Sequence, residues 1–216
     1  ENEQYENAVK NFEQLEKDFN HEYLYLNLGN SYYRIGQLGN ADWAYEKAHS
    51  ISPRDQDIIY NLNFVRSQVK DRIVPPESFF LLSLYKAALD KTTILDIIII
   101  GGFLLITISL IYLIKSYFFI NEKINIFFNY ALILCLSILI WMSFDKYWNI
   151  SDINEAIVVS TSIDVRSAPI ARGENVLFII HEGTKAQITA SETGWYEILL
   201  LDGKKGWVNN QYMRKI

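Results

Sequence analysis

The chain has 216 residues and a formal net charge of −5, a length that allows one or two domains and a charge that excludes the basic surface of a nucleic-acid-binding protein. Its single cysteine, Cys135, excludes an intrachain disulfide. Apolar residues are concentrated in the middle third, between two more polar ends. This distribution predicts a multidomain membrane protein that has no nucleic acid among its partners.

The first 72 residues carry a helical repeat pattern. Small residues at Gly29 and Ala41 would let two helices approach closely, and Pro53 would end the second helix. In a 34-residue frame that starts at Glu22, the signature positions of the tetratricopeptide family hold Tyr25, Leu28, Gly29, Tyr32, Ala41, Tyr45, Ala48 and Pro53. The segment resembles that family, so we predict an all-α tetratricopeptide repeat domain over residues 1–72.

A second, partial repeat precedes the first. Ala8, Phe12 and Leu15 have the spacing of a second helix about 33 residues before Ala41, Tyr45 and Ala48. We therefore expect the repeat domain to be N-terminally incomplete, with a further helix before this one in the full protein.

The inner face of the first helices in such repeats is a candidate protein-binding groove. Leu26 stands where repeats that grip a C-terminal carboxylate need a lysine, so that mode of binding is not expected. A mixed aromatic groove suits a helix or loop of a partner protein, and the alternative is a groove filled by neighbouring segments of the protein itself. The candidate groove residues are Tyr23, Leu26, Asn30, Tyr33, Arg34, Tyr60 and Phe64.

Residues 73–91 form a predicted interfacial connector. Pro75 and Pro76 break the preceding helix, and Ser83, Lys86 and Asp90 then follow at helical spacing on an otherwise apolar segment. About a dozen residues are too few to cross a bilayer, so we expect a helix that lies in the membrane interface. The alternative is a short helix packed under the repeat domain.

Two long apolar stretches predict a transmembrane hairpin. Residues 97–114 and 124–144 carry no charged residue, and each is long enough to cross roughly 30 Å of hydrocarbon. We predict transmembrane helices at 92–115 and 124–145 with a short connector at 116–123. Lys115 and Lys123, at the two ends of the connector, favour a cytoplasmic connector, so both soluble domains would lie in the periplasm. Gly101 and Gly102 are candidates for intramembrane packing, either within the hairpin or against other subunits.

After a linker at 146–155, the pattern changes to short β-rich runs. Six such runs between residues 156 and 216 are separated by turn residues, among them Gly183, Gly194 and the pair Asp202 and Gly203. Six strands in about sixty residues suit a small all-β barrel, since closure removes exposed sheet edges.

These residues also resemble the bacterial SH3 family. The resemblance rests on Val165, Arg166, Ser167, Pro169, Glu182 to Thr184, Gly194 to Tyr196, Asp202, Gly203 and Gly206 to Val208. Trp195, Tyr196 and Trp207 are candidate ligand residues, as aromatic platforms for a glycan or a peptide, and the alternative for the tryptophans is packing in the barrel core.

No catalytic or metal-binding constellation is present in the sequence. His21, His49 and His181 lie in different segments without a companion at ligand spacing, and there is no glycine-rich phosphate loop. We therefore expect neither enzymatic activity nor a cofactor.

The order of these modules resembles the BatE family of the Bacteroides aerotolerance operon over nearly the whole chain. The resemblance implies a non-enzymatic scaffold in the bacterial inner membrane, linked to aerotolerance or stress resistance. Its implied partners are membrane-anchored Bat proteins with von Willebrand A domains, the lipid bilayer and, indirectly, a MoxR-type AAA+ ATPase. The alternative is an envelope sensor whose SH3 domain binds peptidoglycan or a wall peptide.

Overall fold

The computed structural model describes residues 2–73, 79–117, 122–151, 154–171 and 174–216. The chain divides into two compact units, one of Glu1–Phe79 with Asn154–Ile216 and one of Phe80–Ile153. The predicted helix break at Pro75 and Pro76 and the middle of the predicted connector, residues 118–121, lie outside the described residues.

Four helices form the helical half of the first unit. They are α1 (Asn2–Leu15), α2 (Glu22–Arg34), α3 (Leu38–Ile51) and α4 (Gln56–Gln68). The Asp55 side chain caps α4 by accepting hydrogen bonds from the backbone N–H groups of Asp57 and Ile58, which satisfies donors left open at a helix start. Gly36, with φ of 77°, provides the left-handed residue just after α2. Successive helices pack on one another.

The positions of the predicted repeat signature are all buried in this half. A Cβ atom added at Gly29 would lie 2.6 Å from the Tyr45 ring, so the aromatic ring packs directly on the glycine. This close approach explains why the pattern requires a small residue beside a large one. The assignment to the tetratricopeptide family stays a prediction.

The sheet half of the first unit is a seven-stranded antiparallel sheet. Its strands are β1 (Glu155–Val158), β2 (Ser162–Arg166), β3 (Val176–His181), β4 (Lys185–Glu192), β5 (Trp195–Leu199), β6 (Lys205–Asn209) and β7 (Met213–Lys215). The order across the sheet is β3-β2-β6-β5-β4-β1-β7. Ile157, Val165, Ile198 and Val208 are among its fully buried side chains.

The sheet differs from the expected closed barrel at its two edges. Within the described residues no strand pairing joins β3 to β7, so the hydrogen-bonded ladder has two ends. The β7 edge is covered in another way: the indole Nε1 of Trp43 on α3 donates a 2.7 Å hydrogen bond to the backbone oxygen of Lys215. A helix that covers an edge removes the need for closure there.

Helix α3 is the contact surface between the two halves. A Cβ atom added at Gly39 would lie 2.3 Å from the backbone oxygen of Val158, so the helix approaches β1 as closely as a glycine permits. The repeat and the β-rich module, predicted as separate domains, are thus parts of one compact unit.

The second unit contains α5 (Phe80–Lys91), α6 (Ile94–Tyr117) and α7 (Glu122–Ser151). Within the described residues, α6 and α7 hold two segments that are long and apolar enough to cross a membrane, Ile94–Ile114 and Phe128–Trp148. In each, 6% of the most apolar window is buried within the protein. Helix α7 continues to Ser151, so most of the predicted linker at 146–155 is helical, since no glycine or proline interrupts it.

Candidate protein-binding groove

A groove with a volume of about 620 Å³ lies on the helical half. Its lining residues come from all four helices of that half and are mostly aromatic residues and amides. They are Tyr5, Phe12, Asn27, Asn30, Ser31, Tyr33, Arg34, Tyr45, Tyr60, Asn61 and Phe64. A concave surface of this composition offers apolar contacts together with a few oriented hydrogen-bonding groups.

Three aromatic rings form one wall of the groove. Tyr60 and Phe64, four residues apart on α4, stack with ring planes 9° apart and centroids 6.3 Å apart. Tyr33 of α2 meets Phe64 edge to face, at 5.6 Å between centroids. Tyr60 is 68% exposed and Phe64 is 43% exposed, so the wall presents ring surface to a ligand.

The polar groups of the groove are positioned by the helices beneath them. The Tyr45 hydroxyl donates a 2.8 Å hydrogen bond to Oδ1 of Asn30, which directs the amide nitrogen of Asn30 away from that contact. Burial raises the pKa of Tyr45 above its usual value, so the hydroxyl keeps its proton. The Arg34 guanidinium lies 5.9 Å from the ring centre of Tyr5. Among the described lining residues, Arg34 alone carries a formal charge.

The structure brings together five of the seven predicted groove residues: Asn30, Tyr33, Arg34, Tyr60 and Phe64. Leu26 lies elsewhere, because it is buried in the helical core at 9% exposure. Tyr23 is exposed but is not one of the lining residues.

Sequence reasoning missed several lining residues. Asn27 and Ser31 precede Arg34 by seven and three residues, and this helical spacing would have placed all three on one face of α2. Tyr5 and Phe12 have the same seven-residue spacing on α1, which the repeat pattern treated only as a packing helix.

Arg214 connects the helices behind the groove to the sheet. Its guanidinium lies 3.5 Å from the centre of the Trp43 ring and donates hydrogen bonds to the Tyr32 hydroxyl (2.7 Å) and to a Glu16 carboxylate oxygen (3.0 Å). The Tyr32 hydroxyl in turn donates to Glu13. A single β7 side chain therefore contacts α2, α3 and the turn that follows α1.

A cluster of charged residues lies where α3 and α4 meet the sheet. Arg66 pairs with Glu46 and lies 3.6 Å from a carboxylate oxygen of Asp42, and Lys185 of β4 lies 3.4 Å from Glu46 and 2.8 Å from Glu155. Asp42 is 1% exposed, and burial raises its pKa to about 6, although Arg66 and Lys185 act in the opposite direction.

The segment after α4 binds the turn between β3 and β4. The Asp71 carboxylate accepts hydrogen bonds from the His181 backbone N–H (2.6 Å) and the Thr184 hydroxyl (2.9 Å), and it lies 2.9 Å from Nδ1 of His181. Burial opposes ionisation of Asp71, but these bonds outweigh it and lower the pKa of the carboxyl group. This contact is a second attachment between the two halves.

The candidate ligand residues of the sheet do not share one face. Glu197 pairs with Trp207, so their side chains lie on one face of the sheet together with Trp195, two residues from Glu197. Tyr196 pairs with Val208 on the opposite face and packs against the sheet core. Trp195 and Trp207 are both half-buried. The Glu197 carboxylate between them is held by Lys205 (2.9 Å) and the Thr189 hydroxyl (2.7 Å).

Gly101 and Gly102 are not close-packing positions within the hairpin. A Cβ atom added at either glycine would meet no described atom within 4 Å, apart from its own helix backbone and chain neighbours. Packing against other subunits stays a prediction for them.

Comparison with known proteins identifies one part of the chain. Residues 161–214 match the bacterial SH3 domain family, and this range includes β2 to β6 and the beginning of β7. No curated protein matches the chain.

Proposed function

We propose that this protein is a non-enzymatic adaptor anchored in the bacterial cell envelope, and that the groove of its helical half holds a segment of a partner protein. The observation that carries the proposal is the open groove of about 620 Å³ with a stacked aromatic wall on a buried helical core. Aromatic residues and arginine are the types that dominate the energy of protein interfaces.

The charge of the groove indicates the chemistry of the segment. Residues 1–72 are acidic overall, with 8 lysines and arginines and 12 aspartates and glutamates. Among the described lining residues of the groove, however, the one charged residue is the positive Arg34. An acidic side chain flanked by apolar or aromatic residues would pair with Arg34 and cover the rings of Tyr33, Tyr60 and Phe64. The amides of Asn27 and Asn61 offer hydrogen bonds to its backbone.

The two apolar helices would anchor this adaptor in the inner membrane. Because the helical and sheet halves contact each other directly, they belong on the same side of any bilayer that the hairpin crosses. Lys115 and Lys123, at the ends of the predicted connector, and the bacterial SH3 match both support a periplasmic location for the two halves.

The order of modules supports a role in a complex of the Bat type. In this proposal the partners are membrane-anchored proteins with von Willebrand A domains, and a MoxR-type AAA+ ATPase acts through them. Aerotolerance or stress resistance would be the phenotype of the complex.

Copurification tests the groove. Full-length protein in mild detergent would be isolated as wild type and as the double variant Tyr33→Ala with Arg34→Ala. Loss of two such contacts typically costs about 2 kcal/mol or more, roughly thirtyfold in affinity, so recovery of the partner should fall strongly. Tyr23→Ala is the matched control, because Tyr23 is exposed but lies outside the lining. Unchanged recovery of every partner from the double variant would contradict the proposal.

A second function, wall sensing, is favoured by one observation. Trp195 and Trp207 share a sheet face with a fixed carboxylate, Glu197, which is an arrangement that suits a glycan or a wall peptide. Sedimentation of the full-length protein with purified peptidoglycan tests it. Binding that is lost in Trp195→Ala with Trp207→Ala, and kept in the groove variant, would make the sensor function the better account.

A further inference from the structure

Helix α5 exposes most of its apolar side chains. None of its residues is buried, and Phe80, Leu81 and Leu84 are 72%, 61% and 58% exposed. Leaving this much apolar surface in water is unfavourable, so the surface calls for an apolar environment. At about 18 Å, a helix of this length is too short to cross a bilayer.

One side of α5 is fastened to the end of α7. The Tyr85 hydroxyl donates a 2.8 Å hydrogen bond to Oδ2 of Asp145. The Lys146 ammonium group donates a 2.6 Å bond to the backbone oxygen of Leu89 and a further bond to that of Thr92. A cation at the last carbonyls of a helix stabilises its C-terminus, so α5 is held at the level of Asp145 and Lys146.

The turn between α5 and α6 is equally well fixed. The side chain of Asp96 accepts 2.8 Å hydrogen bonds from the backbone N–H and the hydroxyl of Thr93, and the Thr93 hydroxyl accepts a bond from the Asp96 N–H. This reciprocal cap starts α6 after only two intervening residues. The position of α5 relative to the apolar segments is therefore set at both α6 and α7.

The residues of α5 fall into three sectors around its axis, at roughly 100° per residue. Leu82, Tyr85 and Leu89 share the sector that meets α7, as the Tyr85 bond shows. The other two sectors are a polar one with Ser83, Lys86 and Asp90, and an apolar one with Phe80, Leu81, Leu84, Ala87 and Ala88, which also holds Lys91 at the C-terminal end of the helix. The apolar side chains of this sector have no partner among the described residues of the second unit, since all of them are exposed.

We propose that α5 lies in the bilayer surface, at the boundary between lipid headgroups and acyl chains, with Phe80, Leu81 and Leu84 in contact with lipid. The inference rests on the proposed membrane location of the hairpin. Lipid is the occupant because the exposed sector belongs to the same compact unit as two apolar segments of membrane-spanning length, and because Lys146 fixes α5 at the end of one of them. The polar sector then faces the headgroups and water.

Depth-dependent fluorescence quenching tests the position of α5. Single cysteines at Leu84, Lys86 and Leu105 would be placed in a Cys135→Ser background, labelled with an environment-sensitive fluorophore, and studied in the full chain in phosphatidylcholine nanodiscs. Nitroxide lipids would carry the quencher near the headgroup or near the bilayer centre. All three replaced side chains are exposed, and Leu105 lies within α6 as the reference for the membrane-spanning segment.

We expect Leu84 to be quenched several-fold more by the shallow nitroxide than by the deep one, Leu105 to show the reverse, and Lys86 to be quenched least. Quenching of Leu105 without quenching of Leu84 would overturn the lipid contact of α5 while leaving the hairpin in the membrane. Deep quenching of Leu84 would overturn its place at the boundary. If neither the label at position 84 nor the label at position 105 is quenched, the proposed membrane location of the hairpin is wrong.

Discussion

At the scale of single residues, Arg214 makes several of the contacts between the sheet half and the helical half. Its guanidinium contacts Trp43 on α3, Tyr32 on α2 and Glu16 in the turn just after α1. Arg214→Ala leaves a half-buried carboxylate and a buried indole face without their cation, so we expect a loss of about 2 kcal/mol in the free energy of unfolding. Arg214→Lys should recover little, because one ammonium group cannot stack and reach both acceptors.

Thermal and denaturant unfolding of the full chain in detergent would measure this loss. Lys204→Ala is the control, because Lys204 is exposed and pairs with Asp202 at the surface. An Arg214→Ala protein as stable as the Lys204→Ala protein would contradict the role assigned to Arg214.

Asp42 gives the first unit a specific dependence on pH. Its pKa in the folded protein, about 6, lies above the usual carboxyl value of 3.8 because of burial. Ionised Asp42 therefore destabilises the fold. The penalty is absent below about pH 4, grows between pH 4 and 6, and is complete above that, at roughly 3 kcal/mol.

Asp42→Asn should remove this part of the pH dependence. We expect the variant to be more stable than the wild type at pH 7.5 and no more stable at pH 4, as measured by unfolding midpoints across that range. Asp71 acts in the opposite direction, because its lowered pKa contributes stability that is lost as the pH falls below about 4. A wild-type protein whose stability does not decrease between pH 5 and 7.5 relative to Asp42→Asn would contradict the assignment.

At the scale of elements, the contact between α3 and β1 depends on Gly39. The obstacle to a larger residue is the backbone oxygen of Val158, 2.3 Å from an added Cβ atom, and backbone cannot rotate away as a side chain can. Gly39→Ala should therefore separate the two halves and cost about 1–3 kcal/mol, the usual effect of overpacking.

Proteolysis and unfolding of the full chain would report this separation. Gly101→Ala is the matched control, since an added Cβ there meets no described atom within 4 Å. Equal protease resistance of the two variants would show that α3 and β1 can move apart without loss.

A separate prediction concerns whether Gly101 and Gly102 contact another subunit. Because they are not needed for contact within the hairpin, replacing both with leucine should leave insertion and folding intact. If α6 packs against another subunit, the same change should detach the protein from its complex, as measured by copurification. Retention of the complex after both spans are exchanged for polyleucine helices would show that the hairpin is an anchor only.

Sequence patterns predicted the helices and strands well wherever the signal comes from residues that are close together in the chain. The buried signature residues, such as Leu28 and Tyr45, and the turn at Asp202 and Gly203 follow from spacing and turn chemistry within a few residues. Strand β7 was missed, because its three residues carry no turn signal and little alternation.

The contacts between the halves were not foreseeable in this way. Arg214 and Asn40, or Asp71 and His181, are separated by 174 and 110 residues, and no periodic pattern connects them. The same limit applies to the groove: spacing on α2 and α4 identified five of its residues, but Tyr5 comes from a helix whose position only the fold defines.

At the scale of the whole molecule, the two halves of the first unit are separated in sequence by the second unit, yet they bind each other. Cysteines at Ser50 and Lys204, in a Cys135→Ser background, should therefore react alike with an impermeant thiol reagent, and both should react in intact spheroplasts if they face the periplasm. Reaction of one site and protection of the other would contradict the shared side.

The central claim is that the groove holds a partner protein. Photocrosslinking in living cells tests it most directly, with a photoreactive phenylalanine analogue replacing Phe64 in the groove and, as a control, Tyr212 on the sheet half. We predict a discrete protein adduct from position 64 that is absent from position 212 and lost when Arg34→Ala is added. Crosslinks from position 64 that stay within the chain, or an adduct from position 212 alone, would contradict the claim.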